Sequence, residues 1–555
     1  MSTFEPIQWD PDEKPLLPGS PSTPNHPPWL RVCFLLVGIL VNITGGLGNA
    51  LVTVNLIALQ GSLAAYSNEV AWLPAAYIMS NVSMNLLLVK FRQQFGLRLF
   101  TEFFLTLYAL VTFAHLFVHD FVSAIAVRAA HGMAGAALST LGLYYTLQAF
   151  PKVIRPRGIV VAVGVTQLAL PLAYVFSTEL LEFAEWRGLY LFELGLSLVA
   201  LGCVLLLKLP PGDRIRAFEK LDFLTFALFA PGMALLCAVL TFGRLQWWFD
   251  MAWIGWALAG AIILITAAIC IEHNRTRPLL NTRWLASGDI ARLVLSMILI
   301  RVVLSEQGTG AVGYLRAVGL NNDQMTTLFA IVLVASIAGV LLSAVTLSAQ
   351  HLSAPVVIAL LCMAAGAFLD SRATSLTRPE QMYLSQALLG FGGALFIGPS
   401  VIALIGGVIA NPANLISFSV VFGLSQNLGG LIGAAALGTF QTVREKFHSS
   451  VLVEQLSQLD PLVAARIQSG AAAYGRLLPD PAARTGRSLA SLGASATREA
   501  NVLAYNDVFL LIACIALATA AWIFLHAVWR KVHGPPPAPP PAPTPATTIE
   551  QVKDS

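Results

Sequence analysis

Charged residues are scarce in this sequence. Asp, Glu, Lys and Arg together make up 11% of its 555 residues, whereas a typical soluble domain contains about a quarter charged residues. A chain so poor in charge is not expected to be an ordinary water-soluble protein. The six cysteines form no C-x-x-C pair and no cluster with histidine, so the sequence predicts neither a zinc site nor a disulfide framework.

Motifs of catalysis and nucleotide binding are also missing. No G-x-x-x-x-G-K-[ST] phosphate-binding loop is present, which argues against transport driven by ATP bound to this chain. An H-E-x-x-H motif is absent as well, and we predict no enzyme, no catalytic residue, no cofactor and no metal. The net charge of +4 is spread over many polar breaks and not gathered in a basic patch, so nucleic acid is not an expected partner.

Apolar residues, by contrast, are abundant. They make up 56% of the chain, and the mean hydropathy is +0.73. A bilayer core takes about twenty helical residues, and a helix satisfies its own backbone hydrogen bonds in lipid. We therefore predict an all-α polytopic membrane protein with fourteen transmembrane helices. Their predicted ranges are 31–58, 69–89, 99–118, 120–149, 158–181, 187–208, 221–241, 252–271, 289–316, 324–347, 353–369, 380–408, 412–440 and 507–529.

Lys and Arg residues are concentrated in alternate loops. The loops after the second, fourth, sixth and eighth helices together contain thirteen of them, whereas the first five odd-numbered loops contain only Arg187, Arg244 and Arg316. Cytoplasmic loops carry the excess of positive charge in membrane proteins, so both termini are predicted to be cytoplasmic. The second half is less one-sided, because Arg372 and Arg378 fall in a loop that this orientation places outside.

Three segments lie outside the predicted membrane helices. Residues 1–28 are rich in Pro and Ser, and the tail 534–555 begins GPPPAPPPAPTPA. Such compositions favour an extended, solvated chain, so both tails are predicted to be disordered and cytoplasmic, with an SH3-type ligand as the alternative for the proline run. The loop at about 441–506 is predicted to be periplasmic and to contain one or two interfacial helices, which serve either packing or the docking of a partner.

Several local motifs resemble one transporter family. They are VAWLPAAYIMSN (70–81), FGLRLF (95–100), AVRAAHGMAGAAL (126–138), LQAFPKVIRPRG (147–158), WRGLYLFELGL (186–196), CIEHNRTRPLLNTRWL (270–285), GYLRAVGLNNDQM (313–325) and REANVLAYNDVF (498–509). No single motif is highly specific. Their order and spacing, from about residue 30 to residue 530, resemble the fourteen-span drug:proton antiporters of the major facilitator superfamily, the EmrB/QacA type.

The resemblance implies a major-facilitator fold of two six-helix bundles joined by two extra helices. The N-terminal bundle would occupy 29–210, the two extra helices 211–285 and the C-terminal bundle 286–533. The resemblance also implies proton-coupled efflux of drugs or other toxic compounds across the bacterial inner membrane, with a periplasmic adaptor and an outer-membrane channel as candidate partners. One departure lies in the first span, where Ala50 replaces the usual Asp although Asn55 of the same motif is kept.

Ionisable groups inside the predicted helices are the candidates for proton coupling, because a charge at mid-bilayer costs roughly 2.5–3.5 kcal/mol unless it faces a cavity or a partner. In the first half they are Arg128, His131 and Glu193. The resemblance favours a fixed positive charge at Arg128, and a histidine titrates near pH ~6.5. If buried, Glu193 would be a replacement proton carrier. Each has a structural alternative. Arg128 would pair with helix ends or loop carboxylates, His131 would be a buried histidine with its hydrogen bonds satisfied, and Glu193 would lie in the headgroup zone.

In the second half the candidates are Arg301, Glu306 and Gln307. Arg301 and Glu306 are five residues apart, so they point in different directions on a helix and are not expected to pair. The glycines within 308–313 predict a helix break or a close helix approach, and broken helices are common at transporter binding sites. Glu306 is the predicted protonatable residue of the substrate path, and a structural ion pair is the alternative.

These features predict a secondary active transporter whose central cavity opens alternately to the two sides of the membrane. A small amphipathic substrate would be exported in exchange for protons. Two other hypotheses remain open at this point. One is a major-facilitator exporter of a dedicated metabolite or lipid with altered coupling, and the other is a non-transporting membrane sensor.

Overall fold

The computed structural model describes residues 13, 15, 19–248, 250–276, 278–348, 352–410, 414–457 and 459–534. Every regular element among these residues is a helix, as expected for a chain whose backbone must satisfy its hydrogen bonds within lipid. The proline-rich tail predicted to be disordered falls, from residue 535 onward, outside the described residues.

The helices of the first part of the chain include both long membrane segments and short connectors. They are α1 (Pro28–Val54), α2 (Leu56–Ser62), α3 (Ser67–Val70), α4 (Trp72–Phe95), α5 (Leu97–Ala114), α6 (Phe121–Ala149), α7 (Arg155–Val165) and α8 (Ala169–Leu206). The turn between α4 and α5 is made by Gly96, whose φ of +85° suits a residue without a Cβ. We call the end of the bundle where α1 begins the inner end, and the end where α1 finishes the outer end.

The second part of the chain continues in the same manner. Its helices are α9 (Lys220–Leu245), α10 (Ala252–His273), α11 (Thr282–Leu285), α12 (Gly288–Leu304), α13 (Val312–Ala317), α14 (Asn322–Val345), α15 (Ser353–Asp370), α16 (Tyr383–Ala410), α17 (Leu415–Glu454), α18 (Pro461–Ala473) and α19 (Pro481–His533). A π-helical turn, Glu306–Ala311, joins α12 to α13.

Twelve helical segments of the described chain are long and apolar enough to cross a bilayer. The protein is therefore a multi-pass membrane protein. One of the twelve, Lys152–Leu206, is 55 residues long and is interrupted at Ala184 and Glu185, whose backbone angles are not helical. The predicted helices 158–181 and 187–208 lie on the two sides of this interruption.

Most helices pack with neighbours from their own half of the chain. In the first half, α1 contacts α6 and α8, α4 contacts α6, and α5 contacts α8. In the second half, α16 contacts α14 and α15, and α19 contacts α15 and α17. The α12–α17 contact is close because Gly433 faces Ser305: a Cβ at Gly433 would lie 2.2 Å from Ser305 Oγ. The two halves meet where α4 contacts α17, α7 contacts α16, and α8 contacts α14.

The region predicted as a loop at 441–506 is largely helical in the structure. Helix α17 continues to Glu454 and α19 begins at Pro481, so two membrane helices project beyond the outer end. They are joined by a hydrogen bond from Gln441 Nε2 to Asn501 Oδ1 (2.9 Å). Between them lies one separate helix, α18, which packs on α19. A helix within this segment was expected, whereas the extension of α17 and α19 through much of it was not.

Part of the predicted disordered N-terminal tail is packed against the inner end. The N–H of Ser22 donates to the carbonyl of Pro211 (2.9 Å), and Gln148 Nε2 donates to the carbonyl of Ser22 (2.9 Å). His26 Nε2 and Gln148 Oε1 are 3.0 Å apart. An extended, proline-rich segment cannot pair its backbone internally, so these contacts satisfy it. Residues 19–27 therefore depart from the expected solvated chain.

A buried group of charges, which we call the inner-end ion cluster, attaches α9 and α10 to α4. Lys90 Nζ is 2.6 Å from Asp222 Oδ2. Arg275 lies 2.8 Å from Asp222, from Glu219 and from Glu272. Burial opposes the charge of Arg275, but its hydrogen bonds to the three carboxylates raise its pKa above the usual value. Some of the positive charges that mark this end in the sequence therefore also fix α9 and α10 to α4.

Replacing Asp222 with Asn should destabilise the protein strongly, because Lys90 and Arg275 would lose a shared, fully buried counter-charge. Removing one partner of a buried ion pair costs about 3–5 kcal/mol, and the thermal unfolding midpoint of purified Asp222→Asn should fall by several degrees. Glu102→Gln is the matched control, because the Arg98–Glu102 pair is solvent-exposed and such pairs contribute about 1 kcal/mol or less. Equal midpoints for the two variants would contradict the assignment.

Candidate functional site

A central cavity of about 550 Å³ lies between the two halves of the chain. This volume is in the range of about 300–1,000 Å³ that holds a drug-sized ligand. Both halves contribute polar side chains to its wall, and apolar residues form the rest. The polar lining includes Asn49, Tyr77, Asn81, Asn85, Arg92, Gln148, Arg155, Gln167, Arg301, Gln307, Gln426 and Asn427. The predicted site residues Arg301 and Gln307 thus line the cavity directly.

The three ionisable candidates of the first half come together in one buried group, the N-site. His131 Nε2 lies 2.9 Å from Glu193 Oε1, and Tyr108 donates its hydroxyl to the same oxygen at 2.5 Å. Arg128 Nη1 is 3.2 Å from His131 Nδ1. Glu193 is 1% exposed, so it is buried within the bundle. Glu193, His131 and Arg128 therefore form a continuous series of polar contacts in which His131 lies between the acid and the positive charge.

The N-site reaches the cavity through Arg128. The guanidinium of Arg128 donates from Nη1 to the carbonyl of Gly48 (2.8 Å) and from Nη2 to Asn49 Oδ1 (3.1 Å). It also lies over the ring of Tyr77, 4.8 Å from its centre. Asn49 and Tyr77 both line the cavity. A ligand that displaces either side chain would therefore disturb the partners of Arg128 and, through His131, the carboxylate.

A second buried group, the C-site, contains Glu306 together with a residue that the sequence did not single out, Asp370. Gln386 Nε2 donates to Glu306 Oε1 (3.0 Å) and to Asp370 Oδ2 (2.8 Å). Ser385 donates to Asp370 Oδ1 at 2.5 Å. No salt bridge to either acid occurs in the described chain, and Glu306 Oε2 has no hydrogen-bond partner there. The C-site therefore holds two carboxylates joined through one amide.

The helix changes its winding at the C-site. Glu306 is the first residue of the π-helical turn Glu306–Ala311, and such turns are frequent at functional sites. The glycines of this segment allow close approach, because a Cβ at Gly310 would lie 2.9 Å from Phe509 and one at Gly313 would lie 2.6 Å from the hydroxyl of Tyr505. Glu306 lies behind the cavity wall, and the next residue, Gln307, lines the cavity.

Arg301 and Glu306 have different partners, as their spacing predicted. Arg301 donates from Nε and Nη2 to the carbonyl of Gln426, at 3.2 and 3.1 Å, and from Nη1 to Gln167 Oε1 at 3.1 Å. All these acceptors are neutral. The hypothesis of a structural ion pair for Glu306 gains no support from the described contacts. Its link to Asp370 through Gln386 was not predicted.

Asn55 lies where the two halves meet at the outer end of the cavity. It donates from Nδ2 to Ser177 Oγ (2.8 Å), and Asn322 Nδ2 donates to the carbonyl of Val54 (3.0 Å). Arg316 Nη2 donates to the same carbonyl (3.2 Å). Nearby, the rings of Tyr174 and Phe329 stack with their centres 3.8 Å apart. The contacts of Asn322, Arg316 and the stacked rings join the two halves at the outer end.

Sequence reasoning missed several of these residues for identifiable reasons. Asp370 immediately follows the predicted helix 353–369 and was assigned to a loop, whereas it is the last residue of α15. Gln386 is an uncharged residue within a predicted apolar helix, and its position there was the only available signal. Tyr108 was indistinguishable from other aromatic residues.

Among the described residues, no group of three or more His, Cys, Asp or Glu side chains is placed to hold a metal ion.

Comparison with solved structures identifies the fold. The major facilitator superfamily proton:xylose symporter XylE from E. coli, bound to 6-bromo-6-deoxy-D-glucose, matches with a TM-score of 0.54 at 14% identity, over 90% of this chain and 96% of that chain. The human organic anion transporter MFSD10 matches with a TM-score of 0.52 at 13% identity, over 88% of this chain and 100% of that chain. The chain has the major facilitator fold. The cavity between its halves is thus a cavity at the interface of the two major-facilitator bundles.

Sequence comparison gives a weaker likeness to proteins named as transporters. No family model matches the chain. It is 25% identical over 224 residues to the efflux pump mlcE of Penicillium citrinum, and this match covers 37% of this chain and 40% of that protein. It is 22% identical over 253 residues to the MFS-type transporter calB of Penicillium decumbens, and this match covers 44% of this chain and 43% of that protein. The chain therefore spans less than half the length of these curated relatives.

If the outer end faces the cell exterior, as the distribution of Lys and Arg predicts, weakening its contacts should expose the cavity from outside. A single cysteine at Ala50, which lines the cavity, should react slowly with a membrane-impermeant maleimide in intact cells when the six native cysteines are replaced by serine or alanine. Each hydrogen bond contributes roughly 1 kcal/mol, so adding Asn322→Ala and Arg316→Ala, which removes two such bonds, should raise the labelling rate about thirtyfold. Arg372→Ala, an exposed residue on the same side, is the control. Unchanged labelling in the double variant would show that these bonds do not close the outer end.

Proposed function

We propose that this chain is a secondary active transporter that exports small amphipathic compounds across a membrane in exchange for protons. One observation carries the proposal: a ligand-sized cavity lies between the two halves, and each half places a buried carboxylate site directly behind its wall. Glu193 belongs to the N-site, and Glu306 and Asp370 belong to the C-site. Buried ionisable groups within a membrane bundle are typical of proton relays in transporters.

The proposal includes fourteen membrane crossings and membership of the EmrB/QacA branch. The break at Ala184 and Glu185 would divide Lys152–Leu206 into two crossings. The segment from Gly288 to Ala317 would add another, since about thirty helical residues extend beyond a hydrocarbon core of about 30 Å. Helices α9 and α10 would then be the two extra helices between six-helix bundles at 29–210 and 286–533.

Transport would proceed by rocking of the two bundles about the cavity. The contacts of Asn55, Arg316 and Asn322 hold the outer end closed, while the cavity continues towards the inner end, where Gln148 lines it. Breaking the outer contacts and forming new ones at the inner end would move the opening across the membrane. The packed residues 19–27 lie beside this inner end and would move during the cycle.

Proton coupling would operate at the C-site and the N-site. Two ionised carboxylates that share one amide repel each other, and a proton held between Glu306 and Asp370 relieves the repulsion. Gln307 connects this site to the cavity wall, so a bound substrate and a bound proton would compete through a shift of the π-helical turn. An inward-moving proton supplies about 2.3 kcal/mol per 100 mV of membrane potential, which would drive export.

The comparisons support the direction and the energy source in limited ways. The fungal relative mlcE is named an efflux pump, and XylE, which shares the fold, is a proton symporter. The inner membrane of a bacterium, with both termini in the cytoplasm, is the proposed location. The distribution of Lys and Arg supports the orientation, whereas the bacterial membrane, the periplasmic adaptor and the outer-membrane channel rest on the EmrB/QacA resemblance.

Neutralising the C-site should abolish gradient-driven transport. In proteoliposomes with an acidic lumen, uptake of labelled ethidium, chloramphenicol and deoxycholate would identify a transported probe. For that probe, Glu306→Gln combined with Asp370→Asn should reduce uptake to the rate of empty liposomes, because no proton is then exchanged at this site. Asp323→Asn, an exposed acid at the start of α14, is the matched control. Uptake equal to wild type in the double variant would refute coupling through the C-site.

Substrate binding should release protons from the purified transporter. Adding the transported probe to detergent-solubilised protein in weakly buffered solution should lower the pH, since substrate and proton compete. The release of protons should be smaller in Glu193→Gln. The amide keeps an oxygen acceptor for Tyr108 and His131, but it cannot bind and release a proton. Asp323→Asn should release as many protons as wild type. An absence of release from wild type at saturating probe would speak against antiport.

A further inference from the structure

The charged side chains that line the central cavity all carry a positive charge. They are Arg92, Arg155 and Arg301, and no Asp or Glu is found among the described residues that form the wall. This is not a general shortage of acids in the protein. Arg275 of the inner-end ion cluster contacts three carboxylates. Among the described residues, the cavity is therefore a place where positive charge has no carboxylate in the same wall.

Arg92 shows most clearly that a partner is missing. Its side chain is 2% exposed, and neither Nε nor Nη2 has a hydrogen-bond partner among the described residues. Its guanidinium lies over the ring of Tyr144, 4.8 Å from the ring centre, which holds it in place without satisfying its N–H groups. Arg155 Nε also lacks a partner. Buried donors without partners are rare and call for an explanation.

Arg301 lines the cavity from the second half of the chain, opposite Arg92, and no carboxylate of the described chain neutralises its charge. Its three hydrogen bonds go to the carbonyl of Gln426 and the amide oxygen of Gln167, at 3.1 to 3.2 Å. These distances are longer than the roughly 2.7–2.9 Å of a guanidinium bonded to a carboxylate. Neutral acceptors orient Arg301 but leave its charge without a counter-ion. A guanidinium held in this way can accept an anion with little reorganisation.

The rest of the wall fits an uncharged, apolar body attached to an anionic group. Leu143, Leu147, Phe418 and Phe422 line the cavity together with the arginines. Gln307 adds an amide whose Nε2 has no partner in the described chain. A cationic compound would meet three like charges and no carboxylate, and such a contact is unfavourable in a site shielded from water. The lining thus distinguishes ligands by the sign of their charge.

We propose that the central cavity binds amphipathic anions, compounds with an apolar body and a carboxylate, sulfonate or phosphate group that Arg92 or Arg301 contacts. This assignment names the substrate class of the transporter proposed above and rests on that function for its role in export. The binding itself does not depend on the function. Arginine offers paired N–H donors that match the two oxygens of such groups. An anion would also satisfy donors that the protein leaves unpaired.

Three ligands of one shape test the proposal by charge alone: 4-phenylbutyrate, 4-phenylbutanamide and 4-phenylbutylamine. Binding of labelled 4-phenylbutyrate to the full-length protein in lipid nanodiscs would be measured without any gradient, with the other two as competitors. We expect the amide to compete at least about tenfold more weakly than 4-phenylbutyrate, because a charged hydrogen bond is lost, and the amine not to compete. An amine that binds as tightly as 4-phenylbutyrate would overturn the proposal.

Single-residue variants then assign the site. Arg92→Gln and Arg301→Gln should each weaken 4-phenylbutyrate binding about tenfold or more, whereas Arg372→Gln removes the same charge from an exposed outer loop and should bind as wild type. Thermal unfolding midpoints would show which variants are folded. If one of these variants does not fold, the other one is compared with Arg155→Gln, which changes a half-buried arginine at the inner end. These two variants then decide whether the arginines bind the anion. Wild-type affinity in every folded variant would refute the site.

The two proposals fail in distinguishable ways. Charge-selective binding that depends on Arg92 or Arg301, without uptake of 4-phenylbutyrate or any other probe into proteoliposomes, would keep the anion site and refute the transporter. Gradient-driven uptake of 4-phenylbutylamine but not of 4-phenylbutyrate would keep the transporter and refute the anion site.

Discussion

The cost of taking charge out of water is the constraint on which this structure depends. An ionised group within a membrane bundle is stable only beside a partner or a water-filled space. At the inner end, Arg275 meets three carboxylates and Lys90 meets one of them. In the N-site, Glu193 accepts hydrogen bonds from Tyr108 and His131. Helices that were placed differently would leave these groups unpaired, so a few polar contacts help to specify which apolar helices become neighbours.

Incomplete pairing occurs at the places that the proposed transport cycle uses, and it also occurs elsewhere among the described residues, as at His115 Nε2 and Asn506 Oδ1. The C-site joins two acids through one amide, and the cavity holds arginines with unused donors. Each lacks something that a transport cycle would bring: a proton for Glu306 and Asp370, and an anion for Arg92 and Arg301. The apolar helices around them are closely packed, as the contact of Gly433 with Ser305 shows. Under the proposed function, rigid helices would thus surround groups whose charge state changes.

The contacts between the halves at the outer end include single hydrogen bonds, which can break and form again one at a time. Asn322 and Arg316 each donate a hydrogen bond to the carbonyl of Val54 there, and one aromatic pair stacks nearby. A buried apolar cluster that includes Leu51 and Phe329 also joins the halves at this end. Each such bond contributes roughly 1 kcal/mol, which is comparable with the energy that one proton gains on crossing the membrane. By contrast, the inner-end ion cluster joins α4 to α9 and α10 through several buried charges, and it would move as one body.

The sequence alone determined the helical class, the approximate helix positions and the buried charges to examine, because hydropathy and helix length are local properties. It could not determine that Arg128, His131 and Glu193 meet, since contact depends on how separate helices are rotated and packed. The same limit explains why the predicted helix ranges leave both Asp370 and Arg92 in loops. A residue at a helix end has the same local sequence whether it faces water, lipid or a cavity. Only the tertiary structure, by setting helix rotation and neighbours, decided which charges share a site.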